Sequence, residues 1–135
     1  MLGLITGFFY GQVVIEDIGG GISPVPGDIR GWKMAHLECL LNGCLIIAIA
    51  AVCKQMVMSR SLSTVILWGL LACGWTNAIA SSIAAWTGER GASYTGMDWN
   101  SLVHVLFMLG VFGIIAAVVG LAIAAWCYRP NSSAQ

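Results

Sequence analysis

The 135-residue chain is poor in charge: six basic and six acidic residues make up 9% of it and cancel at neutral pH. A soluble globular domain carries nearer ~25% charged residues, so the composition excludes that class. With no surplus of either sign there is no basic field to attract nucleic acid and no acidic tail for a soluble partner. Proline is scarce as well, with three residues, leaving long stretches free of helix breakers. Metal and disulfide patterns are missing. Cys39, Cys44, Cys53, Cys73 and Cys127 lie in or beside apolar segments with no CxxC pair and no Cys/His spacing. They read as free thiols packed as small hydrophobes, without a disulfide or zinc.

What is present is apolar surface: 59% of the residues are hydrophobic and the mean hydropathy is +0.86. The expected fold is all-α, a four-helix transmembrane bundle in a single integral membrane domain, with spans at about 1–18, 34–53, 62–86 and 99–128. The first segment is short for a span. It lacks both a basic leader and a small-residue cleavage site, so it reads as a membrane helix rather than a signal peptide. Glu16 to Gly31, with three consecutive glycines and two prolines, reads as an ordered loop over one face of the bundle. Gln55 to Ser61 is a short polar turn, Thr87 to Asp98 a second loop on the same side as the first, and residues 131–135 a disordered tail. Basic residues tie between the two sides. The acids Glu16, Asp17, Asp28, Glu89 and Asp98 gather on the loop side, which favours cytoplasmic termini. Gly110, Gly113 and Gly120 would let neighbouring backbones approach closely.

The second span, from Gly31 to Val52, carries His36, Glu38 and Asn42. Polar groups at this depth cost free energy unless they meet a partner, a ligand or water, so they are the first functional candidates. At 100° per residue His36, Cys39, Leu40 and Gly43 share one stripe, and Glu38 and Asn42 share another. A neutral imidazole above the small residues Cys39 and Gly43 has a flat surface beneath it, suited to a planar ligand and to axial ligation of haem iron. A histidine bonded to a neighbouring helix or exposed near the headgroups is the commoner outcome of such spacing. On the third span Cys73, Asn77 and Ser81 recur every four residues with Thr76 beside them. Such stripes often only bond helices together, each bond being worth roughly 0.5 to 2 kcal/mol. His104 on the fourth span is expected at a depth similar to His36. It is either a second axial imidazole or a lone histidine at the rim.

Gly31 to Gly43, GWKMAHLECLLNG, followed by an alanine- and isoleucine-rich run, then GWTN in the third span and ERG soon after, resembles the styrene oxide isomerase family of small integral membrane proteins. The likeness covers most of the chain and is strongest across Gly31 to Val52. It implies four-helix subunits assembled as a homotrimer, with haem b near subunit interfaces and a small apolar epoxide as substrate. In such proteins ferric iron acts as a Lewis acid, the epoxide C–O bond opens toward a carbocation, and a hydride shift gives the carbonyl compound. A dry pocket protects that cation from water.

Position by position, the resemblance makes His36 the axial ligand and matches Asn42 and Asn77 to asparagines on the substrate side; the spacing on the His36 stripe sets Cys39 and Gly43 beside the cofactor. Trp75, Trp99 and Phe107 are candidate walls. Cys73 stands where the pattern has an aspartate, Ser81 where it has a tyrosine, and Glu38 replaces a small residue. Glu38 and Ser81 therefore join the candidate catalytic set, Glu38 as a possible source of the missing carboxylate, and the substrate need not be styrene oxide itself. A bacterial cytoplasmic membrane is the expected location. The alternative reading is a non-enzymatic haem protein with His36 and His104 on one iron. A haem-free scaffold subunit is a third.

Overall fold

A computed structural model describes residues 1–127. The expected end of the fourth span at Tyr128, Arg129 and the tail at 131–135 lie outside the described residues. Four helices run in sequence, α1 (Leu2–Gly19), α2 (Ile29–Cys53), α3 (Arg60–Thr87) and α4 (Trp99–Cys127), with no strand among the described residues. The fold is thus the expected all-α, four-helix arrangement. Three helices, α2, α3 and α4, are long and apolar enough to cross a membrane. The 18-residue α1 is not among them, and its last turn carries Glu16 and Asp17.

Local chemistry sets the boundaries. At the C-terminus of α1, Gly20 adopts the left-handed conformation at φ 71°, and Gly88 ends α3 in the same way at φ 78°. The N-cap of α2 is Asp28, whose carboxylate accepts a 2.6 Å bond from the Gly31 amide. Ser59 caps α3 by accepting from the Leu62 amide at 3.3 Å. These caps shorten the first loop to residues 20–28. The helices extend beyond their apolar runs on either side, because capping and backbone hydrogen bonding, rather than hydropathy, decide where a helix stops.

Packing follows chain order: α1 lies on α2, α2 on α3, and α3 on α4, the last seam being the most extensive. Small residues make that seam possible. A Cβ on Gly113 would stand 2.7 Å from the Gly69 carbonyl oxygen, one on Gly120 2.9 Å from Ile66, and Gly110 sits directly under Asn77. Gly110, Gly113 and Gly120 therefore serve close backbone approach within one chain.

Two buried clusters hold the ends. Near the loops, Val13, Trp32, Ala35 and Ala85 pack with Phe9, Tyr10, Val25 and Ile29. Near the 54–59 turn, Ile66, Leu70 and Ala117 pack with Ile46, Ile49, Cys53 and Ile114. In the first cluster Trp32 is 2% exposed and donates its indole N–H to the Pro26 carbonyl at 2.8 Å, tying the loop to the bundle. Its ring lies 4.8 Å from that of Phe9. Gly27, at φ 97°, lies directly on the Ala85 carbonyl where no side chain would fit, which joins the start of α2 to the end of α3.

Candidate functional site

His36 is the eighth residue of α2, which puts it about 10 Å along the helix from its start. The imidazole turns toward α1. Its Nδ1 lies 2.7 Å from the Gly3 carbonyl oxygen; a carbonyl only accepts, so this nitrogen carries the proton and Nε2 keeps its lone pair. Gly7 makes room for the ring, since a Cβ there would stand 2.8 Å from Cε1 and Nδ1. Tyr10 lies nearly parallel to it, with ring centroids 6.3 Å apart and planes inclined by 16°. An imidazole held by a carbonyl at Nδ1 and presenting Nε2 is the arrangement of a metal-ligating histidine, because the outer bond fixes tautomer and orientation.

The stripe below His36 is less open than its small residues suggest. A Cβ on Gly3 would lie 3.5 Å from Cys39 and 3.1 Å from Leu40, so α1 covers that part of it. Gly43 opens onto space, with nothing near the position a Cβ would take.

Glu38 points the other way. Two residues along a helix are 200° around it, so when His36 faces α1 the Glu38 carboxyl faces α3 and α4. It lines a cavity of about 230 Å³ together with Met34, Ser81, Ala84, Ala85 and Phe107, with Asp28, Arg30, Glu89 and Arg90 toward the loops. Its Oε2 is buried without a hydrogen-bond partner. Ser81 is 4% exposed, and its hydroxyl donates to the Asn77 carbonyl at 2.8 Å. Asn42 is half-buried, one turn beyond Glu38 and one before Ile46. Asn77 is engaged between helices: its amide donates to the Cys73 sulfur at 3.6 Å, and its Oδ1 sits over Gly110 of α4.

Of the candidate walls, only Phe107 lines this cavity. Trp75 is 57% exposed on the outer surface. Trp99 lines a separate apolar cleft of about 620 Å³ between α1 and α3, with Phe9, Trp32 and Trp86.

His104, on α4, faces the second loop. Its Nδ1 lies 3.0 Å from the Gly91 carbonyl, and Gly91, at φ 62°, is pressed against Val103. The two histidines therefore answer to different partners, one to α1 and the other to residues 88–98. The loop carries a network that the sequence reading passed over. Asp98 accepts from the Ser101 amide at 2.7 Å and the Thr95 hydroxyl at 2.8 Å, and Asn100 accepts from the Gly91 amide at 2.9 Å. The Ser101 amide, first among these donors, holds the Asp98 carboxyl below its ordinary pKa, with the Thr95 and Ser101 hydroxyls adding to it. The signal was the DWNS sequence, an N-cap aspartate three residues before a serine.

A sequence profile for styrene oxide isomerase matches residues 1–126. The chain belongs to the styrene oxide isomerase family. Among curated proteins and among solved structures nothing matches it. With three apolar helices of spanning length, this family member is a membrane protein. The motif that carries the family likeness, from Gly31 to Gly43, is the part of α2 that turns His36 to one side and Glu38 to the other. Among the described residues no three metal-ligating side chains gather in one place.

Proposed function

We propose that the chain is a haem b-dependent membrane isomerase that converts a small apolar epoxide into a carbonyl compound. The observation that carries this reading is the His36 imidazole. It is fixed by the Gly3 carbonyl with Nε2 left to ligate, in a chain of a family named for an epoxide isomerase. Haem, when bound, supplies an electron-pair acceptor for the epoxide oxygen.

The chain's own residues do the rest. His36 would hold the iron through Nε2, and its bond to Gly3 makes that nitrogen a better donor. Gly7 keeps the ring against α1, and Gly43 leaves space on the same stripe. Asn42 and Asn77 are the candidate groups on the substrate side. Met34 and Phe107, with Ala84 and Ala85, give apolar walls to the cavity on the opposite face of α2. The reaction is an isomerisation: every atom of the epoxide is retained, and one hydrogen moves with its electron pair to the neighbouring carbon. A homotrimer in a bacterial cytoplasmic membrane, with haem near the subunit interfaces and the termini cytoplasmic, completes the proposal.

The test is the absorption and EPR spectrum of the purified protein, followed by product analysis with aryl and alkyl epoxides. The expected result is a ferric haem with an exchangeable coordination position and carbonyl products that form without a diol. A full haem complement in His36→Ala sinks the reading.

A further inference from the structure

We propose that the cavity between α2, α3 and α4 binds a small molecule of one ring and a short side chain carrying a hydroxyl group, whose O–H donates to the Glu38 carboxyl. This goes beyond the reading above and stands apart from it, because the cavity lies on the face of α2 opposite His36. The carboxyl lines the cavity, yet its Oε2 has no partner from the protein. A buried acceptor left unpaired costs its desolvation, which a ligand hydroxyl would recover. Rotation about the terminal torsion of a glutamate is soft, so either oxygen can be turned into the space. The Ser81 hydroxyl spends its proton on the Asn77 carbonyl and offers the ligand a second acceptor.

Size and lining narrow the class. A cavity of about 150 Å³ holds benzene, so about 230 Å³ takes a ring and a few further atoms. Met34 and Phe107 make the middle apolar, while Arg30 and Arg90, both exposed, stand where the cavity meets the loops. A molecule polar at one end can thus arrive from the aqueous side and put its hydroxyl at the inner end. A pure hydrocarbon skeleton would leave Oε2 of the half-buried Glu38 without a partner.

The experiment is binding of 2-phenylethanol and of its methyl ether to the protein in nanodiscs, read by saturation-transfer NMR. The ether has the same skeleton and no donor. The wild-type protein is expected to prefer the alcohol by about tenfold or more. Glu38→Leu should abolish the preference, Glu38→Gln, which keeps a carbonyl acceptor, should retain most of it, and Ala84→Phe, which fills the cavity, should remove binding of both. Equal binding of alcohol and ether by the wild type overturns the proposal, as does a preference that survives Glu38→Leu or alcohol binding that survives Ala84→Phe. Should Glu38→Leu fail to fold, the wild-type preference and Ala84→Phe decide. Neither haem nor turnover enters this measurement, so its failure and that of the isomerase reading are separate results.

Discussion

His36 and Gly3, 33 positions apart in the chain, meet across the α1–α2 seam at 2.7 Å, imidazole Nδ1 to carbonyl oxygen. The contact exists because Gly7, one turn further along α1, has no side chain. Gly7→Leu should drive the ring off its carbonyl at a cost of about 1 to 3 kcal/mol. In the haem-loaded protein, cofactor retention should fall with it. Thermal unfolding and the haem-to-protein ratio, measured on the same preparation, check both parts.

The α3–α4 seam makes a contrast with positions that face open space. Gly113→Val puts branched carbon against the Gly69 carbonyl and should destabilise by several kcal/mol, about the upper end of what overpacking costs. Gly11→Ala, where nothing lies within 4 Å, should be neutral or stabilise by up to about 1 kcal/mol through helix propensity. Unfolding midpoints in one detergent should rank Gly11→Ala at or above wild type and Gly113→Val far below it.

Acid should loosen the second loop in a defined direction. The folded state depresses the Asp98 pKa, chiefly through the Ser101 amide. The stabilisation is therefore fully present above the unfolded aspartate value, about 3.9, and is lost as pH falls through the lower folded value. Proteolysis of residues 88–98 should accelerate below about pH 4 in the wild type. In Asp98→Ala it should already be fast at neutral pH and lose its acid dependence. An unchanged acid response in the variant would count against the assignment.

His104 supplies a discriminating substitution. Its bond to Gly91 is worth about 0.5 to 1.5 kcal/mol, so His104→Ala should expose the loop to protease while leaving the spectrum of bound haem unaltered. A change from low-spin to high-spin iron in that variant would instead place both histidines on one metal.

Much of this was legible in the sequence, for reasons that differ by residue. The long helices follow from apolar runs, and a close backbone approach from Gly110, Gly113 and Gly120, since only glycine leaves such room; that the neighbour is α3 of the same chain comes from the packing. His36 and Glu38 could be assigned to different stripes from helical periodicity alone. What covers each stripe could not be read there. Helix α1 lies over Cys39 and Leu40, which spacing had left as an open bed. Asn77 turns out to be engaged by Cys73 and Gly110, and Trp75 and Trp99 stand away from the cavity, because partner choice depends on how neighbouring helices rotate. The start of α2 at Ile29 was hidden as well: its first turn lies on the polar side of the apolar run, and the signal was the Asp28 cap.

Only two peptide units of α2 separate the ring that faces α1 from the acid that faces α3 and α4. A rigid helix cannot turn one without turning the other, so a guest that rotated α2 from one side would rotate the opposite side with it. Thermodynamics makes that influence reciprocal: by whatever factor the first guest alters the hold on the second, the second alters the hold on the first.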